Sequence, residues 1–141
     1  MKFGIILAGA ALSAIMIPAA LAETMTYKAD LKASEEVPAT ASNGSGAATV
    51  TFDPATNVLA WKVTYSGLTG PATMGHIHGP AASGKNAPVA IPFQKVDSPI
   101  EGSAKLTDQQ IADLKAGQLY INIHTAANKA GEIRGQVTAA K

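Results

Sequence analysis

The chain has no cysteine. That excludes disulfide staples, thiolate metal sites and cysteine nucleophiles together. Charge is scarce as well: Asp, Glu, Lys and Arg make up 15% of the residues, the formal net charge is +1, and Arg134 is the single arginine. A nucleic-acid binder displaces counterions with clustered Lys and Arg, and a membrane-surface protein needs a polybasic patch. The sequence holds no such cluster, so neither partner is expected. Aromatic residues amount to 5%, with one Trp. No serine sits in a Gly-x-Ser-x-Gly elbow, which leaves nucleophilic hydrolysis without support.

One long apolar run is present, and it stands at the start. Met1-Lys2 gives a short positive region, Phe3 to Ile17 is uncharged, Pro18 breaks the run, and Ala20-Leu21-Ala22 supplies the small-x-small pattern of a cleavage site. A membrane-spanning helix needs ~20 apolar residues and no such exit. The expected organisation is therefore a signal peptide at 1–22 and one mature domain at 23–141. The product would be periplasmic or secreted, with no membrane insertion after cleavage. No Cys at the junction offers a lipid attachment point.

Beyond the leader, polar and apolar residues alternate at period two, the signature of half-buried strands. The pattern predicts strands at Thr26–Lys32, Gly46–Phe52, Val58–Tyr65, Thr73–His78, Val89–Phe93, Leu119–Thr125 and Ile133–Thr138. Asp53-Pro54-Ala55-Thr56-Asn57 reads as a hairpin loop. Thr107 followed by Gln110 reads as a capping box, Ile111 and Leu114 recur at helical spacing, and Gly117 ends the turn. One short helix near 107–117 is thus expected to plug one end of an all-β sandwich or Greek-key barrel. Residues 33–45 look the least structured.

The chemistry-bearing residues are three histidines. On a strand, His76 and His78 project to one face while Ile77 faces the other. Met74 precedes them on that same face. Two imidazoles so placed can converge on one ion at ~2.0–2.1 Å, and a neighbouring thioether favours copper over harder ions. In Leu119–Thr125, Ile121 and Ile123 form the apolar side, and Tyr120, Asn122 and His124 the polar side, directed outward or into a cleft. Spacing leaves open whether His124 approaches the pair. Two other stretches read more plainly. Gly79–Lys85 matches seven positions of a phosphate-binding loop, but Asn86 stands where Ser or Thr must hold magnesium and Pro88 forbids the following helix. Glu132, Arg134 and Gln136 share a strand face and read as an ordinary cross-strand polar ladder. The alternative is that they back His124 through hydrogen bonds.

These stretches resemble the CHRD domain. The resemblance rests on Gly75-His76-Ile77-His78-Gly79-Pro80-Ala81, on Leu119-Tyr120-Ile121-Asn122-Ile123-His124-Thr125 and on Gly131-Glu132-Ile133-Arg134-Gly135-Gln136. Tyr27–Leu31 and Val58–Val63 also look like the family. The resemblance implies an immunoglobulin-like or Greek-key β architecture and says little about activity. The loop Ala126–Ala130 lacks the Pro that the family often carries there, which leaves its rigidity open. A looser similarity is to copper/zinc superoxide dismutase, through the paired histidines of its copper strand. No zinc-ligand cluster accompanies them here, so dismutase activity is not expected.

Two functions from different classes fit these residues. The first is a periplasmic metal-binding protein, copper before zinc, with His76, His78 and His124 as ligands and Met74 as an axial one. The second is a non-catalytic envelope structural or interaction module whose histidines fix strand ends, its protein partner unknown. A copper-dependent redox enzyme ranks third, because nothing in the sequence marks a substrate pocket.

Overall fold

The computed structural model describes residues 13–141. Most of the apolar run of the expected leader lies outside the described residues. Residues 13–24 carry no regular structure and are exposed, and no helix of the described residues is long and apolar enough to cross a membrane.

Nine strands follow: β1 Met25–Lys32, β2 Ser45–Asp53, β3 Val58–Ser66, β4 Ala72–His78, β5 Val89–Pro92, β6 Ile100–Lys105, β7 Tyr120–Thr125, β8 Ile133–Gln136 and β9 Thr138–Ala139. All pairings are antiparallel, and they form one sheet in the order β5-β4-β7-β8-β1-β2-β3-β6, with β9 on β1. The all-β class with one short helix is as the sequence predicts. Period-two burial is the cause. Tyr27, Ala29 and Leu31 of β1, Ala48, Val50 and Phe52 of β2, and Leu59, Trp61 and Val63 of β3 all face one core. Ile77, Ile121, Ile123 and Ile133 enter it from the other arm. Each buried Val, Leu, Ile or Phe among them contributes roughly 1.5–3 kcal/mol on burial. The sheet curls until its two ends meet: Trp61 of β3 stacks on Phe93, just past β5, with ring centroids 5.1 Å apart. Asp53–Val58 closes the β2–β3 hairpin, where Asp53 accepts hydrogen bonds from Ala55 N and Thr56 Oγ1.

The helix, α1, spans Asp108–Lys115. Its capping box is reciprocal: Gln110 N donates to Thr107 Oγ1 at 3.2 Å, and Thr107 N donates to Gln110 Oε1 at 3.0 Å. Leu114 is buried in the core, and Gly117 adopts φ +70°, the left-handed conformation that ends a helix.

Two expectations need correction. β6 was not predicted, because after Ile100 its residues are Glu, Gly, Ser, Ala and Lys and show no apolar alternation. It nonetheless pairs with β3 along its whole length, from Val58↔Lys105 to Val63↔Ile100. Small residues suit it because the Trp61 ring covers it. Residues 33–45 are also less loose than they look: Ala33–Glu35 form a 3-10 turn, and Ala33 and Glu36 are buried.

A Cβ on Gly102 would lie 2.6 Å from Trp61 Cζ2 and 2.8 Å from Cε2. Gly102→Val should therefore destabilise the fold by ~1–3 kcal/mol through overpacking. Trp61 is the single tryptophan, so its fluorescence should show a lower urea midpoint at an unchanged m value. An unchanged midpoint would refute this packing.

Candidate metal centre

The site is built on the outer faces of β4 and β7. Alternation sends Gly75 and Ile77 of β4 to the core and Met74, His76 and His78 to the other side. On β7, Ile121 and Ile123 face the core, and Tyr120, Asn122 and His124 face away. The register sets Met74 opposite His124, His76 opposite Asn122 and His78 opposite Tyr120. Six outward side chains thus stand in two adjacent rows.

Across these rows the polar atoms converge. His76 Nδ1 lies 3.0 Å from His124 Nε2, and Asn122 Oδ1 lies 2.9 Å from His78 Nε2 and 3.0 Å from His124 Nε2. One ligand atom from each of the three histidines falls within 4.8 Å of the others. The question that spacing left open has its answer: His124, 48 residues from His76 in the chain, joins the pair. Met74 stands across the strand pair from His124 with 47% of its surface exposed.

The far sides of two rings are tied down. His78 Nδ1 is 2.9 Å from the Ala87 carbonyl, and His124 Nδ1 is 2.8 Å from the Lys129 carbonyl. A carbonyl can only accept, so each Nδ1 carries the proton, and in the neutral ring each Nε2 is left as a lone pair facing inward. Burial, then the charges of His124 and His78, pushes the His76 pKa below its ordinary value. His124 is pushed down mainly by burial, with the Lys129 carbonyl opposing and His78 and Arg134 adding to the shift. Both rings are accordingly neutral near pH 7, the form that binds metal.

The polar side of β7 does not face solvent. Asn122 is 1% exposed, His124 6% and His78 8%. Tyr120 stacks on His78 with centroids 4.8 Å apart and planes 3° from parallel. The Arg134 guanidinium lies 4.1 Å from the Tyr120 ring centroid. That arginine also donates to Glu36 Oε2 at 3.0 and 2.9 Å, to the Lys85 carbonyl at 3.1 Å and to Asn86 Oδ1 at 2.7 Å. Burial pushes the Glu36 carboxyl up, and the attraction of Arg134 and Asn122 only partly reverses this.

The polar-ladder reading of Glu132, Arg134 and Gln136 is therefore wrong. Loops cover this face, and Arg134 lies over the Tyr120 ring that in turn stacks on His78. Glu132 is fully buried and accepts hydrogen bonds from Thr69 Oγ1, from Thr69 N at 3.0 Å, from Thr125 Oγ1 at 3.1 Å and from Asn128 Nδ2 at 2.7 Å. Burial raises its carboxyl, but these donors outweigh burial and hold it below the usual carboxylate range. The bond from Asn128 also ties the Ala126–Ala130 loop to β8, and that loop supplies the carbonyl under His124. Gly79–Lys85 is followed by no helix and delivers the Lys85 carbonyl to Arg134, which ends its resemblance to a phosphate-binding loop.

Sequence reasoning missed the central position of Asn122. Its signal was available, since it stands two residues before His124 on the same strand face. Glu36 carried no signal, because its partner is 98 residues away in the chain.

Residues 27–137 match the family described as CHRD domain. No match was found among curated proteins or among solved structures.

The lowered pKa values of His76 and His124 carry a stability consequence. Between the folded values and the unfolded ~6.5, the unfolded chain binds more protons, so stability rises with pH. Their contribution should be complete above pH ~6.5 and should shrink as pH falls below it. Urea midpoints of the metal-free protein should therefore drop on acidification from about pH 7.5 to 5.5, and the drop should be smaller in His76→Ala/His124→Ala. Equal drops in the two proteins would contradict the burial assigned to these rings.

Proposed function

We propose, from the premise that this chain belongs to the CHRD-domain family, that it is an exported protein holding one copper ion through His76, His78 and His124. The observation that carries this reading is the convergence of three imidazole nitrogens within 4.8 Å. Two of those rings are tethered so that their Nε2 lone pairs point to the same place, Asn122 Oδ1. A lone surface histidine would show neither feature. Carbonyl tethers of this kind fix the tautomer and orientation of metal-ligating histidines. Copper is preferred to zinc because the cluster offers imidazole nitrogen with no thiolate or carboxylate among its ligands, and divalent copper binds such donors more tightly than zinc; Met74, on the same strand as His76 and His78, is at most a peripheral thioether. Export rests on the leader pattern of residues 1–22, which would take the protein to the periplasm or the exterior.

A second reading has its own support. His78 and His124 bond the Ala87 and Lys129 carbonyls, so they could serve simply to hold two loops of a non-catalytic envelope module.

Calorimetric titration with Cu(II), Cu(I) and Zn(II) at about pH 7.5, well above the ordinary histidine pKa, separates the two. The metal reading expects saturable one-to-one binding that His76→Ala/His124→Ala abolishes while the variant stays folded. Absence of binding above the variant's background would leave the structural role. Export is tested by the intact mass of the protein recovered from the envelope fraction, which should correspond to a chain beginning at Glu23. Recovery of the full 14.3 kDa chain would remove the leader from the account.

A further inference from the structure

We propose that Asn122 is a fourth ligand, its side-chain oxygen completing a set of three imidazole nitrogens and one amide oxygen. The inference rests on the metal-binding reading above and adds to it a ligand and a preferred oxidation state.

Hydrogen-bond accounting at Asn122 Oδ1 carries the argument. The oxygen lies 2.9 Å from His78 Nε2 and 3.0 Å from His124 Nε2. Both rings spend their Nδ1 proton on a main-chain carbonyl. In the neutral rings both Nε2 atoms are then acceptors, and Asn122 Oδ1 is an acceptor as well. His76 Nδ1, 3.0 Å from His124 Nε2, can bring at most one proton to the cluster. Three lone-pair atoms therefore crowd one point, with at most the one proton of His76 Nδ1 to share among them. Contacts of this length between acceptors repel unless a cation stands among them.

Turning the Asn122 amide over would relieve the conflict by presenting Nδ2 to the two imidazoles. The packing behind the amide opposes that rotation. The Nδ2 end and the Glu36 carboxylate meet under Gly131, where a Cβ would collide with Glu36 Oε1 and lie 2.7 Å from Asn122 Nδ2. Gly131 has φ +125°, a conformation that favours glycine. Glu36 cannot withdraw, because Arg134 holds its Oε2 at 2.9 Å. Inverting the amide would turn its oxygen toward that carboxylate. The amide nitrogen thus lies on the side of the buried ion pair, where Glu36 Oε1 has no other hydrogen-bond partner, and the amide oxygen lies toward the histidines.

The spacing also fits coordination. Two donors at ~2.0–2.2 Å from one ion, at angles between square and tetrahedral, stand roughly 2.9–3.5 Å apart. The contacts of 2.9, 3.0 and 3.0 Å fall in that range, while the three histidine nitrogens spread to 4.8 Å, a little beyond the ~4.4 Å that two donors at ~2.2 Å can span, so the rings draw in slightly when an ion binds. Three imidazoles and a hard amide oxygen suit oxidised copper better than Cu(I), which prefers thiolate and thioether. The site should therefore take Cu(II) in preference to Cu(I), with the exposed Met74 thioether contributing little.

The test uses protein grown with carbon-13-labelled asparagine and loaded with Cu(II). Electron–nuclear double resonance should show imidazole nitrogen couplings together with a carbon-13 coupling from an asparagine amide. Asn122→Ala should lose the carbon coupling and weaken Cu(II) binding by about 100-fold, at the upper end of what outer partners of ligands supply. Should that variant fail to fold, the labelled wild-type spectrum decides alone. Bound Cu(II) with imidazole couplings and no asparagine coupling would overturn the inference and leave the three-histidine site standing. Failure of the wild type to bind copper saturably would overturn both.

Discussion

A single guanidinium ties together the segments that roof the histidines. Arg134 leaves β8 on the face away from the core and meets Glu36, the Lys85 carbonyl, Asn86 and the Tyr120 ring. Removing a charged pair from water costs several kcal/mol per ion, and the mutual attraction offsets this only where the remaining donors are also met. On the arginine side they are met, by one main-chain oxygen, one amide oxygen and an aromatic face, while Glu36 Oε1 is buried with no hydrogen-bond partner. Losing one partner of such a pair typically costs ~3–5 kcal/mol, because the other charge stays buried. The arrangement converts the outer side of β4, β7 and β8 from a solvated sheet face into a second interior, one that is polar where the first is apolar.

This second interior explains which parts of the molecule were legible in the sequence. A sheet with one wet face alternates polar and apolar residues, and β1, β2, β3, β4 and β7 do so plainly enough to be placed within a residue or two. The capping box of Thr107 and Gln110 is local chemistry and was equally visible. β6 was not visible, because Trp61 packs on it from the neighbouring strand and leaves room only for residues like Gly102. The pattern also gave no sign that the polar face is buried. Tyr120, Asn122, His124, Glu132 and Arg134 read as surface residues, because polar residues on alternate positions look the same under water and under a loop. Their covers come from Glu36 and from residues 85–87 and 128–129, segments with no periodicity to read. The histidines stood out by their rarity and by the shared face of His76 and His78. Their meeting with His124 depends on the β4–β7 register, which no local signal encodes.

The same constraint bears on the chemistry of the site. Burial and neighbouring positive charge make a proton unwelcome on His76 and His124. Those terms also oppose a metal ion, so they cannot by themselves favour one over the other. The difference is in what each cation satisfies. A proton on His78 Nε2 or His124 Nε2 donates to Asn122 Oδ1 and answers that one contact, but leaves the oxygen facing the lone pair of the other ring. An ion at the centre answers all of them at once, with His78 and His124 already oriented by the Ala87 and Lys129 carbonyls. What is left to order on binding is mainly His76, whose ring has no contact of that kind. The buried ion pair that roofs the fold thus also packs beside the one amide of a cluster rich in acceptors, with Glu36 Oε1 left free of any other partner on that side.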